Sequence, residues 1–350
     1  DDGWVVPGRV SWSWWSENDS PRDLARLRDY ADLAAEFGWE YSLVDANWNV
    51  HGEDDIRALV AHAAERGVRL WLWYNSGGPH NEVTEQPRDR MHEPGVRRRE
   101  FAKLADWGVA GVKVDFFQSD KQDSIARYLG ILEDAAEHRI MVNVHGCTIP
   151  RGWSRTWPHL LTMEAVRGAE SYIFQEDFPA IAARHNTILP FTRNAVGPMD
   201  YTPVTFGDVA HPHRTTNAHE LALAVVFESG LLHLADSAAS YRGVRPEVAE
   251  ELRRVPVVWD ETRFLVGEPG RCAVVARRAG GGWWIGGING TDGSRTLDLA
   301  LPSDAGWRVV ADGGGRDAFA VRDLPAGEGR LRVELAPRGG VLARSSGTAG

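Results

Sequence analysis

The chain has 350 residues, 43% hydrophobic and 25% charged, which is ordinary for a globular protein and ample for one barrel plus a small second domain. A formal net charge of −10 argues against nucleic acid or an anionic membrane as partner, and no apolar run approaches the roughly eighteen residues of a spanning helix. Cys147 and Cys272 are the only cysteines and lack C-x-x-C spacing, so neither a disulfide framework nor a zinc site is indicated.

In chain order, short apolar runs alternate with helical patterns up to about residue 265. The runs at 9–15, 41–46, 69–74, 111–116, 141–145, 161–166, 195–201 and 231–235 predict strands. Helical patterns fall at 22–37, 54–66, 95–105, 124–138 and 217–227. Asp120 to Asp123 offer polar caps before the fourth of these, and Gly67 a C-cap after the second. Continuous apolar strands separated by helices predict a parallel sheet covered on both faces, and eight units predict a (β/α)8 TIM barrel. No G-x-G-x-x-G or P-loop opens any helix, which counts against a nucleotide-binding sheet. Arg97-Arg98-Arg99 reads as a solvated helix face.

After Gly267-Glu268-Pro269-Gly270 the pattern changes to short alternating runs at 272–276, 283–287, 295–301, 307–311 and 330–335, punctuated by Gly, Asp and Pro. That predicts a small C-terminal antiparallel β-sandwich. The expected division is a barrel over 1–267, a sandwich over 268–344 and a disordered tail over 345–350.

A parallel barrel gathers its strand ends around one pocket, so polar residues at those ends are the first place to look for chemistry. Asp115 closes the run Gly111-Val112-Lys113-Val114-Asp115. Lys113 shares its strand face and could hold it ionised, as a nucleophile requires, or the two could form a structural pair. Glu164 and Glu170 follow the 161–166 run and flank Arg167, compatible with a pocket role or with a rim salt-bridge cluster. Asp45, Asn75, Asn143, His145, Asp200 and Tyr201 could each bind a sugar hydroxyl or satisfy loop backbone. Among the fifteen tryptophans, Trp12, Trp14, Trp15, Trp48, Trp71 and Trp73 lie near predicted strand ends and could stack on a sugar ring or simply pack the core. His211-Pro212-His213 reads as structural or solvated rather than as a metal pair. No G-x-S-x-G elbow supports a serine hydrolase.

Several stretches together resemble glycoside hydrolase family 97. They are Pro7 to Trp15, Lys113-Val114-Asp115-Phe116-Phe117, Asn143-Val144-His145-Gly146, Glu164 to Glu170, Gly197 to Pro203, Phe227 to Asp236 and Pro256 to Thr262. The resemblance implies a retaining exo-acting α-glycosidase of the α-galactosidase-like branch. The inverting α-glucosidases of the family carry a glutamate base where Gly146 stands here. By resemblance Asp115 is the nucleophile, Glu170 the general acid/base, and Glu164 and Glu170 contact a calcium ion. A retaining pair stands roughly 5–5.5 Å apart. The family's usual N-terminal β-sandwich domain, which also contributes to calcium, is expected to be missing. The implied partner is a small oligosaccharide or glycoside, and secretion or periplasmic export follows from family habit. α-Glucosidase or β-L-arabinopyranosidase activity, or a non-catalytic sugar-binding barrel, are the alternatives.

Overall fold

The computed structural model describes residues 3–208 and 211–347. In chain order its main elements are β1 (Gly8–Trp12), α1 (Leu24–Phe37), β2 (Tyr41–Val44), α2 (Glu53–Ala64), β3 (Arg69–Asn75), α3 (Pro94–Trp107), β4 (Gly111–Asp115), α4 (Gln122–Glu137), β5 (Met141–Val144) and β6 (Leu160–Met163). There follow α5 (Ser171–Phe174), α6 (Phe178–Asn186), α7 (Asn217–Val226), β7 (Leu231–Leu234), α8 (Ala238–Gly243) and α9 (Pro246–Arg254). The remaining strands are β8 (Glu261–Glu268), β9 (Cys272–Ala279), β10 (Gly282–Asn289), β11 (Arg295–Ala300), β12 (Trp307–Asp312), β13 (Phe319–Leu324), β14 (Arg330–Leu335) and β15 (Gly340–Ser345). Contacts divide the chain into two compact units. The first is Asp1–Val166 with Val196–Asp200 and Ser229–Ala238, and the second is Arg167–Ala195 with Tyr201–Glu228 and Ala239–Gly350.

The first unit holds the parallel sheet, in the order β6-β5-β4-β3-β2-β1-β7. Seven expected strands are present. The eighth, at 195–201, is not a strand: Pro198 has no N–H to donate, and only Met199 bridges Met163. Asp200 N–H also donates to the Met163 carbonyl at 2.9 Å, so this segment occupies the slot between β6 and β7 and completes the (β/α)8 barrel. Burial on both faces explains the continuous apolar runs. The period of two then sorts each strand, as Ser11 shows by donating to the Tyr30 carbonyl of α1 while Val10 and Trp12 turn inward. Gly111 pairs with Trp71 across β3 and β4, and a Cβ on Gly111 would lie 2.6 Å from that indole. Only glycine lets the ring lie flat there.

The helix ends follow ordinary capping chemistry in part. Asp23 accepts from Ala25 N–H and Arg26 N–H, a cap worth about 1 kcal/mol, and Gly38 takes the left-handed position after α1. The polar cap expected before α4 is absent: Lys121 occupies the N-cap and makes no side-chain cap bond. Arg97 also departs from expectation. It is buried, with its Nε 2.7 Å from Asp134 on α4, because α3 packs that face inward against α4.

In the second unit a six-stranded antiparallel sheet, β13-β12-β15-β10-β9-β8, faces the two-stranded sheet β11-β14. Their shared core includes Trp283, Ile285, Leu297, Trp307, Leu331 and Leu335. The sheet begins at Glu261, ahead of the division expected at 268, because β8 pairs with β9 from Glu261 to Glu268, with one irregularity at Leu265. Helix α7, all of whose residues are buried, packs on β10 and β15, and the Arg277 guanidinium bonds the Val225 and Val226 carbonyls at its end. Ser345, expected in the tail, instead closes β15, where its hydroxyl accepts from Trp283 N–H. Residues 348–350 lie outside the described residues.

Candidate active site

The mouth of the barrel in the first unit gathers buried polar side chains that the sequence scatters over nearly its whole barrel region. Asp115 sits at the end of β4, only 8% exposed. Its Oδ2 accepts from Trp73 Nε1 at 3.1 Å and its Oδ1 from Phe116 N–H at 2.6 Å. Two donors fix the carboxylate's direction. Phe116 has φ +64°, a left-handed conformation that a bulky residue adopts only where its surroundings enforce it. Asn81 Nδ2 and Ser76 Oγ enforce it here by donating to the Phe116 carbonyl, at 2.9 and 3.1 Å.

Gly146 lies against the same carboxylate. It has φ +51°, and an added Cβ would come 2.8 Å from Phe116 N, 2.9 Å from Phe116 Cα and 3.0 Å from Asp115 Oδ1. A side chain at 146 and the observed carboxylate at 115 therefore compete for one space.

Asp45 is the partner of Lys113. Its Oδ2 accepts from Lys113 Nζ at 3.0 Å and Trp12 Nε1 at 2.8 Å, its Oδ1 from Ala46 N–H, and the ammonium lies 4.5 Å from the centre of the Trp12 ring. A buried ion pair with these additional bonds has little uncompensated charge.

On the opposite strands, Asn143 Nδ2 and His145 Nε2 each lie 2.7 Å from Asp200 Oδ2, and His233 Nδ1 lies 2.9 Å from the same oxygen. Burial opposes ionisation of Asp200, but the charges and hydrogen bonds of His233 and His145 outweigh it and hold its carboxyl well below the usual range. Glu164 stands just after β6. It accepts from Gly146 N–H at 2.8 Å and has its other oxygen 3.7 Å from His145 Nδ1.

The remaining predicted residues are placed differently. Asn75 is fully buried and committed to its loop, donating to the Val83 and Glu85 carbonyls and accepting from Gly77 N–H and Asn81. Trp48 and Trp73 are also buried. Trp48 donates to the Trp73 carbonyl and Trp73 to Asp115, so both pack and brace rather than offer an open face. His233 was not among the expected site residues. His233 could have been found from the alternation Leu231-Leu232-His233-Leu234, which aims it with Leu231 toward the interior.

In the second unit Glu170 is half-buried at the N-cap of α5. Its turn is held from both sides: Ala169 N–H donates to the Tyr201 carbonyl, and Gly168 packs so close to that carbonyl that a Cβ would be 2.7 Å away. Arg167 does not form the rim cluster considered above. It pairs with Asp177 at 3.5 Å and lies over the Phe178 ring. His213 is buried, its Nδ1 3.0 Å from the Thr215 carbonyl, as a structural histidine would be.

A parallel barrel with buried, oriented carboxylates at its mouth is an arrangement that barrel glycoside hydrolases share. Two models of one family match the chain, Glycoside hydrolase 97 over residues 4–166 and Glycosyl-hydrolase 97 C-terminal, oligomerisation, over residues 258–345. The chain belongs to glycoside hydrolase family 97. It is 38% identical over 329 residues to a Streptomyces bingchenggensis (strain BCW-1) protein named "Probable retaining alpha-galactosidase", covering 89% of this chain and 48% of that protein. It is 31% identical to the retaining alpha-galactosidase of Bacteroides thetaiotaomicron, over 97% of this chain and 54% of the relative. The crystal structure of a beta-arabinopyranosidase superposes with a TM-score of 0.93 at 33% identity, over 97% of this chain and 56% of that one. The chain thus spans about half the length of the curated relatives it matches.

Proposed function

We propose that this chain is the catalytic part of a retaining exo-acting α-glycosidase that hydrolyses terminal α-galactosides. The observation that carries the reading is the pairing of a side-chain-free Gly146 with the hydrogen-bonded carboxylate of Asp115. A base at 146, as an inverting enzyme of this family would use, competes with that carboxylate for space. A nucleophile at 115 does not. Both curated relatives carry "retaining" in their names, which supports the same choice.

In this mechanism Asp115 attacks the anomeric carbon while Glu170, matched by motif, protonates the departing oxygen. Glu170 then takes a proton from water, which displaces Asp115 from the same carbon. Two inversions give net retention. Trp73 and the Phe116 amide hold the nucleophile's orientation, and Lys113, Asp45, Asn143 and His145 face the sugar's hydroxyls.

Calcium belongs to the same proposal. A half-buried carboxylate at the barrel rim fits one position of a hard, oxygen-preferring cation, and Glu164, with Glu170 by resemblance, would hold it. When bound it would supply positive charge at the mouth. Export from the cytoplasm is likewise proposed on family habit.

A second reading is favoured by the beta-arabinopyranosidase structure. A β-L-arabinopyranoside presents the α-galactoside ring stereochemistry without the C6 hydroxymethyl group, so the same machinery would process it. Hydrolysis of aryl α-galactoside, β-L-arabinopyranoside and α-glucoside, each with calcium and with chelator, tests these readings. Release from the galactoside first among the three is expected. Turnover on none of them overturns the proposal in favour of a sugar-binding barrel.

A further inference from the structure

We propose that the cavity between the loop after β3 and the loop after β4 is a subsite for an acidic sugar on the leaving side of the cleaved bond, with Arg127 binding its carboxylate. The inference rests on the glycosidase reading above and names the kind of glycoside the site takes. The cavity holds about 260 Å³, below the roughly 300–1,000 Å³ of sites for drug-sized ligands, and so admits one sugar unit rather than a chain. Its wall starts beside the nucleophile. Phe117 and Gln118, just beyond Asp115, line it, and so does Asn81, which donates to the Phe116 carbonyl at 2.9 Å. Two left-handed residues, Phe116 at φ +64° and Gln118 at φ +51°, turn the chain there, and Gln118 N–H is tied to the Gly146 carbonyl at 2.8 Å. Consecutive Cα atoms are about 3.8 Å apart, so this wall begins within roughly 8 Å of Asp115, near enough for the unit next to the cleaved bond.

The charge of the cavity selects the ligand. Arg127 is half-buried, and its Nη1 donates to the Gly77 carbonyl at 2.6 Å. Among the described residues that is the one bond made by its five N–H donors, and it forms no ion pair. Two left-handed glycines let the neighbouring loop close on it: Gly77 has φ +65° and Gly78 φ +92°, and a Cβ on Gly78 would collide with the guanidinium. Burial lowers the Arg127 pKa, and the charge of Asp123 offsets this only in part. Lys121 also lines the cavity and forms no ion pair among the described residues, while Asp123 lies 3.6 Å from His80 Nε2. Arg127 and Lys121 against Asp123 leave the cavity locally positive on a chain of net charge −10. An anion there would give Arg127 the compensation its burial lacks, and a guanidinium fork matches a carboxylate in shape as well as charge. Gln118 and Ser124, also on the lining, offer amide and hydroxyl groups to the hydroxyls of the same sugar.

The test titrates the whole chain by calorimetry with methyl β-D-glucuronide, its neutral twin methyl β-D-glucoside, and methyl β-D-glucoside 6-phosphate. The glucuronide should bind about tenfold more tightly than the glucoside, the size of one charge-assisted hydrogen bond. Arg127→Ala should erase that preference and Arg127→Lys should keep part of it. Equal affinity of the wild type for glucuronide and glucoside overturns the proposal, a readout that stands even if no variant folds. So does a preference that survives Arg127→Ala or, where that variant does not fold, survives Lys121→Glu at its exposed position. Tighter binding of the phosphate than of the glucuronide overturns the assignment of the anion as a sugar carboxylate. Kinetics test the place of the site: an α-galactosyl-glucuronate disaccharide should be cleaved with kcat/KM about tenfold above α-galactosyl-glucose, the difference lying in KM. The same ratio in wild type and Arg127→Ala would put the anion away from the leaving group and overturn the subsite. No turnover by the wild type on either disaccharide or on an aryl α-galactoside overturns the glycosidase reading instead, while the calorimetry still decides whether the cavity takes an acidic sugar.

Discussion

Replacing Gly146 with alanine probes the geometry on which the retaining mechanism depends. The new methyl group would meet Phe116 N at 2.8 Å, Phe116 Cα at 2.9 Å and Asp115 Oδ1 at 3.0 Å, two backbone atoms and the nucleophile itself. Residue 146 cannot retreat easily, since its N–H is bonded to Glu164 and its carbonyl accepts from Gln118 N–H at 2.8 Å. The left-handed backbone costs an alanine roughly 1–2 kcal/mol, and overpacking adds about 1–3 kcal/mol. A total near 2–5 kcal/mol is expected in stability. The larger effect falls on catalysis, because the one contact free to yield is the Asp115 carboxylate, and a displacement near 1 Å costs about a hundredfold in rate. Gly146→Ala should therefore lower kcat on an aryl α-galactoside by about two orders of magnitude, measured at a temperature where thermal melting shows it folded. Wild-type kcat together with a wild-type melting temperature would refute the reasoning.

Other perturbations test separate parts of the account. Asp115→Ala should abolish turnover, and azide should restore product as a glycosyl azide; undiminished hydrolysis would exclude Asp115 as nucleophile. Trp73→Phe removes one bond to the Asp115 carboxylate, worth about 1.5 kcal/mol, so kcat should drop about tenfold with KM little changed in steady-state assays. Arg344→Ala strands the fully buried Glu251, whose two oxygens it binds at 2.7 and 2.9 Å, and should cost about 3–5 kcal/mol in denaturant unfolding. Burial lowers His219 from 6.5 to about 3, so between those pH values the unfolded chain binds the extra proton and stability falls as pH falls. His219→Gln should flatten that slope in unfolding titrations from pH 7 to pH 4, and an unchanged slope would contradict it.

The barrel was legible in the sequence because strands buried on both faces must be apolar throughout. The seventh strand position was misread for a related reason: Ala195, Val196 and Met199 look strand-like, but Gly197-Pro198 interrupts the ladder, and tertiary placement rather than pairing holds the segment. Strands β8, β13 and β15 went unnoticed in the β-domain. β8 and β13 are exposed along much of their length, so their composition resembles that of loops. At the site, strand-end carboxylates stood out one at a time, whereas their partnerships did not. Asp45 with Lys113, and Asp200 with three side chains, join residues dozens of positions apart, and only closure of the barrel brings them together. Trp48 and Trp73 were ambiguous for the opposite reason, since an indole that braces a catalytic carboxylate and one that stacks on a sugar occupy the same kind of position.

Retention of configuration is the claim on which the roles of Asp115, Gly146 and Glu170 all turn. Proton NMR of an aryl α-galactoside during the first minutes of hydrolysis, before mutarotation, reads it directly. The account predicts α-galactose as the first sugar released; β-galactose appearing first would contradict it.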